Sequence, residues 1–144
     1  MNAGGVDKAY KSNECSLQLP AIGYQLMNNF RFLKLRVYQD AKNFHRKIIF
    51  YTKNWPKEFD YLKNQLRRAA LSVLLNIAEG AGKNSDKDFN RYIGNSLGSI
   101  NESAACCDVG HDENLLTDEI FDELINLAKH LKDSLGALSK KLKS

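Results

Sequence analysis

Between Ile120 and Leu142 an aliphatic residue recurs every three or four positions, at Ile120, Leu124, Leu127, Leu131, Leu135, Leu138 and Leu142. Such steps return side chains to one side of a 3.6-residue helix, so the segment carries a single apolar stripe that other elements must cover. Three further segments keep the same period. Tyr38, Ala41, His45, Ile48 and Thr52, with Phe44 and Tyr51 beside them, predict a helix from about Arg36 to Lys53. Leu62, Leu66, Ala69, Val73 and Ile77 form a second stripe, and Phe89, Ile93, Ser96, Ile100 and Ala104 a third. No run of strict two-residue alternation occurs. The chain reads as all-α.

The connections carry their own chemistry. Trp55-Pro56 interrupts the first helix, because proline restricts its predecessor and donates no backbone hydrogen bond. The second is expected to end at Glu79-Gly80-Ala81-Gly82, where glycine suits the left-handed C-terminal position. Ser85 with Asp88 resembles a capping box, with Asp in place of the usual Glu. Asn114 tolerates the left-handed backbone that stops the third helix, and Thr117 can cap the fourth, with Asp118 and Glu119 at the positive end of its dipole. Four helices of about 18 to 28 residues joined by short links predict an antiparallel up-and-down four-helix bundle. The third is rich in small residues (Gly94, Ser96, Gly98, Ser99, Ser103, Ala104, Ala105), which suit close approach to a neighbouring helix or to another subunit.

The 144 residues, 43% of them apolar, fit one globular domain. Residues 1–26 lack a clear period and predict a weakly ordered leader ahead of a bundle domain spanning 27–144. No segment has the roughly 18 consecutive apolar residues of a membrane span, and the leader has no apolar block of a signal peptide. Three cysteines, two of them adjacent at Cys106 and Cys107, make no disulfide framework and point to a reducing cytoplasm.

Net charge is +4, but its distribution is uneven. From Arg31 to Arg91 there are 14 Lys/Arg against six Asp/Glu. From Tyr92 to Ala128 there is no Lys or Arg and there are eight acids: Glu102, Asp108, Asp112, Glu113, Asp118, Glu119, Asp122 and Glu123. Such a split suits an anionic partner for the first half. It suits equally a basic face of one copy docking on an acidic face of another.

The second helix holds a polar line, Gln65, Arg68, Asn76 and Glu79, beside its apolar stripe. Such a line marks solvent, a buried hydrogen-bond network or an assembly contact. The strings Gln65-Leu66-Arg67-Arg68-Ala69-Ala70 and Asn76-Ile77-Ala78-Glu79-Gly80-Ala81-Gly82-Lys83-Asn84-Ser85 closely resemble the signature of the four-helix-bundle family associated with intervening sequences of bacterial 23S ribosomal RNA. The resemblance runs from Phe30-Arg31-Phe32-Leu33 and Tyr38-Gln39 through Leu97–Glu102 to Leu116-Thr117. Two departures stand out: Leu74-Leu75 where members commonly have proline, and Cys106–Glu113 where the third helix usually ends apolar. The resemblance implies an up-and-down bundle, homopentameric rings and no enzymatic activity. A related group of bundle proteins binds a reverse transcriptase and nucleic acid through basic surfaces.

On this reading Gln65, Arg68, Asn76, Glu79 and Glu102 serve a polar network or an assembly contact, and no residue is assigned to catalysis. For nucleic acid the candidates are Lys42, Arg46 and Lys53 on the first helix and Lys63 and Arg67 on the second. Each i,i+4 pair, Lys42/Arg46 and Lys63/Arg67, faces one way. Phe44 and Tyr61 fall on or beside the core stripes and make poor stacking platforms. The acidic pairs Asp118/Asp122 and Glu119/Glu123 are mildly unfavourable within one helix and would gain from a basic neighbour. No metal or other cofactor is expected: Cys106, Cys107, His111 and Asp112 lack ligand spacing, and no second His/Cys group accompanies them. His45 is expected at a core edge and His130 in solvent.

Overall fold

Two hydroxyls set the starts of the last two long helices. Ser85 Oγ accepts the Asp88 backbone N–H at 3.1 Å, and Thr117 Oγ1 accepts that of Ile120 at 3.2 Å. Each satisfies one donor that a helix start leaves open. Between them Asn114 holds a left-handed backbone, φ 59°, and ends the third helix as its side-chain type allows. The computed structural model describes residues 29–144. The expected leader, residues 1–26, and its boundary at residue 27 lie outside them.

A 3-10 turn (Arg31–Lys34) leads into α1 (Arg36–Tyr51), and a second (Lys57–Phe59) into α2 (Asp60–Ala81), followed by α3 (Asp86–Asp112) and α4 (Asp118–Lys143). The described residues form no strand. Helix α1 stops two residues short of the expected Lys53. Thr52 Oγ1 donates to Ile48 O at 2.7 Å and Arg67 reaches the Ile49 carbonyl at 3.2 Å, so the last carbonyls find partners outside a further helical turn. Helix α2 runs unbroken through Leu74-Leu75 and ends without the expected left-handed glycine: Gly82 keeps a right-handed backbone, φ −85°, because its N–H closes a tight turn onto the Glu79 carbonyl at 3.1 Å. Asp118 and Glu119 open α4, and Lys140, Lys141 and Lys143 close it, each charge sign matched to its end of the dipole.

Paired residues give the directions. Along α2 and α3, Gln65 meets Glu102, Ser72 meets Ser99 and Glu79 meets Tyr92, one series rising as the other falls. Asn90 meets Ser139 and His111 meets Asp118 across α3 and α4. Asp40 meets His130 and Lys47 meets Glu123 across α1 and α4. Three antiparallel neighbours require α1 to oppose α2 as well. Helix α1 packs on α2 and α4, and α3 packs on the same two, which leaves α1 and α3 across a diagonal. This is the up-and-down bundle.

Its centre holds Phe44, Ile48, Leu66, Ile77, Phe89, Ile93, Leu124 and Leu135, all fully buried. Each such side chain contributes about 1.5–3 kcal/mol relative to exposure. The stripes need two corrections. In α3 the line continues through Ser103 and Cys107, both buried, while Ala104 is only half-buried. The step of three from Ile100 to Ser103 keeps the stripe under α2, whereas a step of four rotates it away. Tyr61 is not near the core: it is 68% exposed, because it shares the outward side of α2 with exposed Gln65 and Arg68, one and two turns on.

The small residues of α3 fall into two sets. Ser96 Oγ donates to Val73 O at 2.9 Å and Ser99 Oγ to Ser72 Oγ at 2.9 Å, so the serines face inward and let α2 come close. Gly80 of α2 sits in the same seam, where an added Cβ would lie 2.7 Å from Phe89 Cδ2 and 2.8 Å from Tyr92 Cβ. Gly94 and Gly98 face the other way, and an added Cβ there would meet nothing within 4 Å. Gly80→Ala is therefore expected to cost about 1–3 kcal/mol in urea unfolding, because the seam must open. Gly136→Ala, on an open position of α4, is expected to stabilise by up to about 1 kcal/mol. Equal effects of the two substitutions would contradict the packing described.

Candidate functional site

The polar line of α2 does not form one network. Gln65 reaches across to Glu102 of α3. Asn76 Nδ2 donates within its own helix, to Ser72 O at 2.9 Å and Ser72 Oγ at 3.0 Å. Glu79 accepts from Tyr92 OH at 3.1 Å, and Lys83 Nζ stands 3.9 Å away. Arg68 is exposed and has no hydrogen-bond or ion-pair partner among the described residues. Arg68, Ser72, Asn76 and Glu79 line a shallow groove of about 280 Å³, whose apolar members are Leu71 and Leu75. Those two leucines are 39% and 52% exposed. Sequence reasoning missed them, yet Arg68, Leu71, Leu75 and Glu79 recur at steps of three and four, a second line on α2 separate from its core stripe.

The nucleic-acid candidates part company. Arg67 Nε donates to Thr52 Oγ1 at 2.9 Å and its Nη2 to Ile49 O, so this guanidinium caps the C-terminus of α1. Lys63 Nζ bridges Asp60 at 2.9 Å. The Lys63/Arg67 pair is thus engaged inside the subunit. Lys42 stands 5.8 Å over the Tyr38 ring, while Arg46 and Lys53 extend into solvent on the outer side of α1. Between them Ile49 and Phe50 are exposed, another apolar pair that the core stripe of α1 hid. Half-buried His45 lies at the core edge; burial, then Arg67 and Arg46, lower its pKa and favour the neutral ring.

These elements, and every candidate residue on them, fall within residues 33–137, over which the chain matches the family model described as 23S rRNA-intervening sequence protein. The chain belongs to this family. No curated protein matches it. The 23S rRNA-intervening sequence proteins are not a known enzyme family.

In this member of the family the groups with chemical potential are tied to structural partners. Glu123 takes Lys47 and the Tyr51 hydroxyl, which relieves half of the Glu119/Glu123 repulsion within the chain. Burial, with Cys106 next to it, pushes the Cys107 thiol up to about 12, and burial followed by Glu102 raises that of Cys106. Neither is a ready nucleophile at neutral pH. No cluster of three or more His, Cys, Asp or Glu among the described residues could hold a metal ion. No described helix is long and apolar enough to cross a membrane. His130 is exposed and lies 3.2 Å from Asp40.

His111 closes the α3–α4 turn. Its ring stacks on Phe121 at 4.4 Å and its Nε2 lies 2.6 Å from Asp118 Oδ1. The hydrogen bond to Asp118, with the charges of Asp118, Asp112 and Asp108, raises its pKa above 6.5. A raised folded-state pKa stabilises fully below the unfolded value and is lost as pH climbs through the folded one. Asp118→Asn is therefore expected to lower the His111 midpoint in an NMR titration, and to destabilise more at pH 5.5 than at pH 8.5. A midpoint that does not move would remove Asp118 as the cause. Arg67→Ala, which strips the α1 cap, is expected to cost about 1–3 kcal/mol in urea unfolding. A loss within error would show those carbonyls to be satisfied without it.

Proposed function

We propose that this family member is a cytoplasmic, non-enzymatic subunit that self-assembles, as a homopentameric ring of the kind its sequence resemblance implies. One observation carries the proposal. Ile49 of α1 and Leu71 and Leu75 of α2 lie exposed along one outer edge of the bundle. The Arg67 bond to Ile49 O brings the two helices together there, and Leu71 follows Arg67 by one turn. A run of exposed apolar side chains rimmed by polar groups is the usual mark of an interaction surface. Arg68, without a partner inside the subunit, stands at that rim, and Arg is favoured at assembly contacts.

A second reading, binding of structured RNA or of a reverse-transcriptase complex, draws on Lys42 and Arg46 of α1 and on Lys53 in the turn just past its end. In a ring these would repeat and multiply weak phosphate contacts. With Lys63 and Arg67 engaged in structure, it has the weaker support of the two.

Size-exclusion light scattering with absorbance at 260 and 280 nm separates them. Self-assembly predicts a mass near five times the 16.3 kDa chain with a protein-like absorbance ratio. A ring that carries excess 260 nm absorbance would favour the nucleic-acid reading. A monomer at tens of micromolar would contradict assembly.

A further inference from the structure

The eight acids between Tyr92 and Ala128 face a chain whose preceding segment, Arg31–Arg91, has eight more bases than acids. Inside the subunit these opposite halves scarcely meet. Among the described residues Lys47–Glu123 is the one Lys or Arg ion pair made by any of those eight acids. Asp118 is held by His111, and Glu102 by the neutral Gln65. Asp108 and Asp112 are exposed and have no Lys or Arg partner. On the other side, Arg46, Lys53 and Arg68 are exposed and equally without a carboxylate.

Their placement is orderly. On α3, Asn101, Ala105, Asp108 and Asp112 recur at steps of four, three and four along a wholly exposed line, with exposed Val109 beside it. The same line runs back through Gly98 and Gly94, above which the subunit places nothing, to exposed Arg91 and Lys87, so its acids occupy the C-terminal half of the helix. On the α1–α2 edge, Arg46 and Arg68 flank Ile49, Leu71 and Leu75. One surface is apolar, with Arg46 and Arg68 on its rim and Glu79 at one end of its groove; the other is smooth and, in its C-terminal half, acidic around the exposed Val109. Because α1 and α3 sit across the diagonal, Arg46 does not face Asp108 or Asp112 within one chain; Arg68, on α2 beside α3, pairs with neither acid among the described residues.

Resting on the self-assembly reading above, we infer that the apolar, Arg46- and Arg68-rimmed edge of α1 and α2 docks on the acidic outer face of α3 in a second copy of this chain. Two different surfaces of one molecule then meet head to tail, the arrangement that closes into a ring when the rotation allows. Leu71 and Leu75 supply projecting side chains, and the Gly94–Ala105 stretch supplies a floor low enough to receive them. Opposed charge fixes which face meets which and disfavours like-on-like contacts. The charge split in the sequence becomes an addressing device between copies rather than a feature of the single bundle.

Charge reversal and mixing test this. Arg46→Glu with Arg68→Glu makes one variant, and Asp108→Lys with Asp112→Lys the other. All four positions are exposed, so circular dichroism should show unchanged helicity. Each variant alone is expected to run at the mass of a single chain at concentrations where the unaltered protein is assembled. An equal mixture is expected to associate again, since each altered face then meets its opposite. In the unaltered protein, raising salt from about 0.05 to 0.5 M should weaken assembly, because rim charges are screened within a shorter Debye length. If the unaltered protein assembles while either variant alone still does so, or while the mixture stays monomeric, this pairing is wrong and self-assembly stands. If the unaltered protein is itself a monomer, both fall.

Discussion

The close approach of α2 to α3 is the constraint on which the rest of the bundle depends. Ser72, Ser96 and Ser99 and the bare Cα of Gly80 leave so little bulk between the helices that Ser96 bonds a carbonyl of the opposite backbone. Buried hydroxyls are tolerable only when each finds a partner, and here Ser96, Ser99 and Ser103 all do. The 3.6-residue period of α2 puts Leu71, Leu75 and Arg68 off both this seam and the core stripe, so they stand exposed on the outer edge.

Local chemistry made much of this legible before any coordinates. Ser85, Thr117 and Asn114 act within three residues of themselves, so their roles could be read from the sequence alone. The stripes of α2 and α4 were equally plain because a core face repeats. What escaped was long-range. Arg67 looks like half of a basic i,i+4 pair, and only the tertiary contact with Thr52 and Ile49 turns it into a helix cap. Leu71, Leu75, Ile49 and Phe50 are ordinary apolar residues within helical segments, and periodicity assigns apolar residues to cores by default. Ser103 displaced Ala104 from the α3 stripe because a hydroxyl able to bond the Ser99 carbonyl is as buriable as a methyl group.

The same division runs through the charged residues. Lys47, Glu123 and Tyr51 clip α1 to α4, and His111 with Asp118 fastens the α3–α4 turn. These hold the subunit together. Arg46, Arg68, Asp108 and Asp112 make no ion pair with a Lys, Arg, Asp or Glu among the described residues, and the leucines beside Arg68 stand exposed. The self-assembly proposed above gives the exposed apolar edge of this 23S rRNA-intervening sequence protein a use that the single bundle does not.

A photoreactive phenylalanine analogue placed at Leu75, irradiated in the full-length protein and followed by peptide mass spectrometry, tests that claim most directly. The account predicts a cross-link between two chains, joining residue 75 to the stretch from Gly94 to Val109. Cross-links confined to one chain, or between chains but to another part of the second copy, would contradict it.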